Sequence, residues 1–244
     1  MRKFALENSR GEVMELNNDD QFFHNPDGLG YGSDSIKGTI TFTDNNKMGA
    51  YDRYSRFARF IQHTPLTLYY ETDSIYKIDV TPTEISKTEL GDLGLSVDIE
   101  LERLSKFYRE YSEGNLSDSM SISIPVRSDS VVESGIILSM KIWADASSLE
   151  WTHTVDSEPV LMGRIEYDFL EGDIITVNTT ESPYSITLTR DGATTDIYSH
   201  SDFSTDRFPL LQFGHNVFSA LSMRDIFSRP ATVSVKGRIE YETV

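Results

Sequence analysis

The chain of 244 residues contains no cysteine. That removes disulfide scaffolds, thiolate zinc sites and cysteine nucleophiles together. Cations are scarce as well: 22 Lys and Arg stand against 39 Asp and Glu, a formal charge of −17. Neutralising phosphates takes Lys and Arg, so this chain is not built to wrap the outside of a nucleic acid. No apolar run approaches the roughly 18 residues of a membrane span. Met1 to Arg10 carries Glu7 and no apolar stretch, so it is not read as a signal peptide. These absences point to a soluble protein made in a cytoplasm. With 38% hydrophobic residues the chain has the apolar material for real cores. Its length suits two average domains better than one.

What is present is mostly strand pattern. Lys3-Phe4-Ala5-Leu6 and Val13-Met14-Glu15-Leu16 flank a polar turn, Asn8-Ser9-Arg10-Gly11, and read as a hairpin. Phe22 to Gly32 is too rich in Gly and Pro for regular structure. Short β-branched, alternating runs follow at Thr39–Thr43, Leu66–Tyr70, Tyr76–Val80 and Leu95–Leu101. One segment breaks the pattern. Tyr51, Tyr54, Phe57, Phe60 and Ile61 fall at helical spacing, predicting a helix over about 50–63 that Pro65 ends.

Glu110 to Ser119 turns polar and marks a boundary, giving domains 1–111 and 120–244 joined by a linker 112–119. Beyond it the chain reads as strands only: Met120–Val126, Ile136–Trp143, Val160–Phe169, Asp173–Asn178, Ser185–Thr189 and Thr232–Tyr241. Such spacing suggests a β-sandwich or jelly roll. Residues 1–111 hold 13 basic and 19 acidic side chains, net −6, and residues 112–244 hold 9 and 20, net −11.

Motifs for chemistry are weak. Gly28-Leu29-Gly30-Tyr31-Gly32 has neither the spacing nor the following Lys-Ser/Thr of a phosphate loop, and Gly91-Asp92-Leu93-Gly94 reads as a turn. Asp44-Asn45-Asn46-Lys47-Met48-Gly49 begins like a calcium loop. However, Met48 takes a ligand position and Ser55 stands where the bidentate Glu belongs. His24, His63, His153, His200 and His215 are scattered without metal-ligand spacing. No G-x-S-x-G elbow exists. The expectation is a protein that is not an enzyme and takes no metal or cofactor.

Two constellations remain as site candidates. Arg53, Arg56 and Arg59 form a stripe beside the apolar helix face, either solvated or a subunit or partner interface, since Arg is favoured at interfaces. Trp143 and Trp151, with Tyr167 and Tyr184, are either packed in a core or an aromatic platform for glycan contact.

Several segments together resemble the distal tail proteins of long-tailed, siphovirus-type bacteriophages and related prophages. Phe22-Phe23-His24-Asn25-Pro26-Asp27-Gly28-Leu29-Gly30 comes first. Ile36-Lys37-Gly38-Thr39-Ile40-Thr41-Phe42 then runs into the helix and Pro65–Tyr70. The second half adds Gly163-Arg164-Ile165-Glu166-Tyr167, then Gly172–Thr179. It ends with Phe208-Pro209-Leu210-Leu211-Gln212-Phe213-Gly214-His215-Asn216, similar to an F-x-x-L-x-x-G-x-N signature. The resemblance implies a mainly β protein with an N-terminal, β-sandwich-like ring domain containing one main helix. A C-terminal, galectin-like β-sandwich would project outward from it. It further implies a homohexameric ring at the distal end of a virion tail. That ring would join the major tail tube protein to a tail-tip or tail-associated lysin protein, with receptor-binding or accessory baseplate proteins at its periphery. DNA would pass through the central channel unbound, and an acidic lumen would repel its phosphates. The family carries no catalytic residues. A carbohydrate-binding protein that engages cell-wall glycan is the rival expectation.

Overall fold

Alternating burial, which marks a sheet with one face in a core, runs through both halves of the chain. The computed structural model describes residues 3–19, 21–30, 32–44, 47–72, 74–90, 94–126, 132–202 and 208–242, apart from the side chains of Asn25 and Lys47. Tyr31, Asn45, Asn46 and Gly91–Leu93, named in the motifs above, lie outside the described residues. The chain forms two compact units, Met1–Arg109 with Tyr241–Val244, and Glu110–Glu240. It is mainly β, with one α-helix among the described residues. Among the described residues no helix is long and apolar enough to cross a membrane.

The first unit contains β1 (Lys3–Glu7), β2 (Val13–Glu15), β3 (Gln21–Asp27), β4 (Ser35–Thr43), α1 (Lys47–Phe60), β5 (Leu66–Glu71), β6 (Ile75–Glu89) and β7 (Gly94–Arg103). All pairings are antiparallel, in the order β2-β1-β5-β6-β7-β4-β3. Asn17 bridges Phe22, and the Phe23 N–H donates to the Leu16 carbonyl at 2.9 Å, which brings β3 back to the β2 end. Leu6, Ile36, Ile40, Phe42, Leu66, Leu68, Val80 and Val97 fill the core. α1 lies on β4 and β7, with the Phe57 ring 5.4 Å from Phe42 and Tyr54 6.2 Å from it. The helix starts at Lys47, earlier than its apolar face predicts, because Met48 is 71% exposed and only Ala50 of the first turn is buried. Tyr241 closes on this unit, edge-to-face with Tyr76 at 5.2 Å.

Strand β8 (Phe107–Glu113) begins in the first unit and ends in the second, so strand continues into the segment read as linker. The second unit holds β9 (Ser121–Val126), β10 (Ser134–Lys141), β11 (Ala146–Val155), β12 (Glu158–Phe169), β13 (Ile174–Asn178), β14 (Ser185–Arg190) and β15 (Ala193–Asp196). A 3-10 turn, Tyr198–His200, precedes β16 (Leu210–Leu211), β17 (Gly214–Arg224) and β18 (Phe227–Tyr241). One antiparallel sheet runs β15-β14-β13-β10-β18. The other runs β12-β11-β17-β9. β18 serves both: its first residues, through Ala231, pair with β17, and Thr232–Gly237 pair with β10. The Asp156-Ser157 turn joins β11 to β12 with φ of 51° and 72°, the two positive values of a type I′ hairpin.

Candidate functional site

The outward face of β6, β7 and β4, opposite α1, is built without apolar side chains. Period-2 alternation sends Ile36, Ile40, Phe42, Val97, Ile99 and Leu101 inward. It therefore sends Ser35, Lys37, Thr39, Thr41, Ser96, Asp98, Glu100 and Glu102 outward. β6 adds Glu84 opposite Glu100 and Ser86 opposite Asp98. Four carboxylates thus face one ammonium. Lys37 Nζ meets Glu100 Oε2 at 2.9 Å, Ser35 Oγ donates to Glu100 Oε1 at 2.8 Å, and Thr39 Oγ1 donates to Asp98 Oδ1 at 2.7 Å. The hydrogen bond from Lys37 holds the Glu100 carboxyl below the usual range, and the same bond raises Lys37. A shallow groove of about 330 Å³ runs between these side chains. Phe22 and His24, stacked at 5.8 Å, border the face on β3.

Beyond Pro82, β6 pairs only with β7 among the described residues, and Thr83–Glu89 is exposed. Its second edge is open there, a row of backbone donors and acceptors available to another strand. Lys87 and Glu89 tie this stretch to α1, with Lys87 Nζ 4.8 Å from the Tyr51 ring and Tyr51 hydroxyl bonded to Glu89.

The arginine stripe divides. Arg53 is half-buried and clamped on Asp44 through Nε at 3.2 Å and Nη2 at 3.1 Å. That contact also uses the first acid of the calcium-like run in a local ion pair. Arg56 and Arg59 are exposed, with Arg59 Nε donating to the Ser55 carbonyl at 3.2 Å. The structure therefore leaves two of the three guanidinium groups facing solvent.

The tryptophans do not come together as a platform. Trp151 is only 3% exposed and lies over Gly163, where a Cβ would run into the indole. Its burial withdraws it from any surface contact with sugar. Trp143 is 40% exposed, but Lys141 Nζ sits 4.3 Å from its ring and Nε1 donates to Thr232 Oγ1 at 3.0 Å.

Among the described residues no group of three or more His, Asp and Glu could hold a metal. Ser123 Oγ meets His215 Nε2 at 2.6 Å, but Asp156 accepts the backbone N–H of His215 at 2.8 Å, so this contact does not orient the ring as a base. Gly28 sits at φ 81° where a Cβ would run into the Ser35 carbonyl, as a tight loop requires.

The Asn216 position of the F-x-x-L-x-x-G-x-N run has a structural task that sequence reasoning left unassigned. Its Nδ2 donates to the carbonyls of Gln212 at 2.7 Å and Gly214 at 3.2 Å, and its Oδ1 accepts the Gln212 N–H at 3.1 Å. His153 Nε2 meets the same Oδ1 at 3.0 Å, and its ring stacks on Phe218 at 4.3 Å. Burial pushes the His153 pKa down, with the Asn216 bond opposing.

Residues 32–104 match the family model described as the distal tail protein, N-terminal domain. The match lies within the unit that carries α1 and the acidic sheet face. No curated protein sequence matches the chain. Among solved structures, the chain is similar to the Dit protein of phage SPP1, described as a paradigm of the hub adsorption apparatus in phages infecting Gram-positive hosts. The TM-score is 0.60 at 12% identity, over 97% of this chain and 99% of that one. It is also similar to a chain of the phage P2 baseplate in its activated conformation with calcium, with a TM-score of 0.52 at 12% identity over the full length of both. The strontium form of that baseplate gives the same values.

Proposed function

We propose, from the distal tail protein domain in residues 32–104 and the acidic face it carries, that this protein is a structural hub at the distal end of a phage tail. Six copies form a ring that joins the tail tube to the tail tip or baseplate, with a central channel for DNA. The protein performs no catalysis. The first unit forms the ring, and the second is a galectin-like β-sandwich projecting from it. The observation that carries this reading is the β6-β7-β4 face. An exposed sheet face with Glu84, Asp98, Glu100, Glu102 and several hydroxyls, but no apolar side chain, suits a wall that polyanionic DNA must slide past. The open edge of β6 supports self-association, because a strand edge of this length invites pairing with another chain. Arg56 and Arg59, cations on an acidic protein, dock an acidic neighbour in the tail. The major tail tube protein and a tail-tip or tail-associated lysin protein are the partners on the two faces of the ring.

Of its two tryptophans, the rival reading, a glycan-binding protein, keeps only Trp143 once Trp151 is buried. Negative-stain imaging with light scattering separates the two. A six-fold ring supports the hub. Persistent monomers at high concentration, with and without the tail tube protein, contradict it.

A further inference from the structure

One projection of the second unit is not used by that reading. The β17–β18 hairpin ends in Asp225, at φ 54°, followed by Ile226 and Phe227, which are 90% and 70% exposed. These are among the most exposed large apolar side chains of the protein. Two apolar residues at a hairpin tip cost solubility unless something covers them. Arg224 and Arg229 flank them in the hairpin. Arg224 reaches Asp145 only at 3.7 Å, with both side chains more than half exposed, so it can serve another acid.

The first unit offers a matching recess. On the outward face of β1, Ala5 is paired with Glu15 of β2 on one side and Tyr69 of β5 on the other. Its small side chain forms the floor of a groove of about 360 Å³. Val13, 62% exposed, and Ile75, 55% exposed, supply apolar walls. Glu15 and Glu71 supply carboxylates at the lining, with Lys3 among them and Lys77 Nζ 5.2 Å from the Tyr69 ring. We propose that the Ile226-Phe227 finger of one copy seats in the Val13–Ile75 groove of a second copy, with Arg224 and Arg229 facing Glu15 and Glu71. Apolar tip meets apolar groove, and basic flank meets acidic lining. The two surfaces differ, so the contact is heterologous, the kind that closes into a ring or runs on as a filament. Two side chains cover less than the roughly 800 Å² per partner of a stable interface. The contact therefore adds to the ring's other contacts and does not carry them.

The inference rests on the ring reading, and its test keeps the two apart. The chain has no cysteine, so Ser228→Cys beside the finger and Lys3→Cys at the groove each introduce a unique thiol while leaving Ile226, Phe227, Val13 and Ile75 in place. Co-produced as differently tagged full-length chains and treated with a short bismaleimide, the pair yields a crosslinked dimer carrying both tags. Either variant alone yields at least tenfold less. Adding Arg224→Glu and Arg229→Glu to the first chain removes the crosslink, and Glu15→Arg with Glu71→Arg in the second restores it. Six-fold rings of the unmodified chain without any mixed crosslink would overturn the finger contact and leave the hub standing. Absence of both rings and crosslink would overturn both.

Discussion

Asn216 and His153 meet at 3.0 Å in the interior of the second unit, and Asn216 has no exposed surface. The pair joins β17 to β11 and at the same time holds the 212–214 loop, because one amide serves three backbone groups. Asn216→Ala leaves those groups unpaired where water does not reach. It should cost about 2–4 kcal/mol, since a buried donor or acceptor left unsatisfied costs about 1–3 kcal/mol. Urea unfolding of the variant measures this, and a loss under about 1 kcal/mol would contradict the role assigned to Asn216.

His153 makes stability depend on pH with a definite sign. Burial lowers its pKa in the folded protein, so the unfolded chain binds the proton more readily. Its contribution is complete above the unfolded value of about 6.5 and is lost as pH falls through that value toward the lower folded one. His153→Gln keeps a donor for Asn216 and cannot titrate. Its denaturation midpoint should fall less steeply between about pH 7 and 5 than that of the unmodified chain. Equal slopes would rule His153 out as the titrating group.

Asp173 anchors the turn after β12. Its side chain is 2% exposed, accepts the Leu170 N–H at 2.8 Å, and holds Arg190 through Nη2 at 2.6 Å and Nε at 2.9 Å. Arg190 is a third exposed, and solvent screening reduces what the charge pair contributes. Asp173→Asn, which can still accept from Leu170, should lose about 1–2 kcal/mol, and Asp173→Ala about 2–3 kcal/mol. Thermal melts of the two variants give the order; the reverse order would show that the ion pair is not what the site supplies.

The fold was legible where side-chain pattern and burial coincide. β4, β5, β7 and β10 follow their apolar alternation, and α1 follows its aromatic face. β17 was hidden because its inward positions are Asn216, Phe218, Ala220 and Ser222, while Val217 and Leu221 point outward, which inverts the expected pattern. β11 gives a weak strand signal although Leu149, Trp151 and His153 alternate inward, since Ser and Thr dilute it. β6 looked short because Thr83 onward is exposed on both faces and leaves no core signal. β3 is obscured by Pro26, tolerated near a register shift on a strand whose extended pairing among the described residues is with β4. Candidate sites were harder to read. Periodicity placed three arginines on one stripe but could not show that Asp44 takes Arg53.

The two tryptophans should be spectroscopically distinct. Trp143→Phe leaves only Trp151, whose emission should lie to the blue and resist acrylamide, whereas Trp151→Phe leaves a quenchable signal. If glycan binding were found and survived Trp143→Ala, the tryptophan-based lectin reading would have no residue left to carry it.

The central claim is that Glu84, Asp98, Glu100 and Glu102 line a channel through a six-membered ring. A cryo-electron microscopy map of the assembled ring tests it most directly. We expect six-fold symmetry with the outward face of β4, β7 and β6 on the pore wall, its carboxylates toward the axis. A pore lined by neutral or basic side chains, or a ring that turns this face outward, would contradict it.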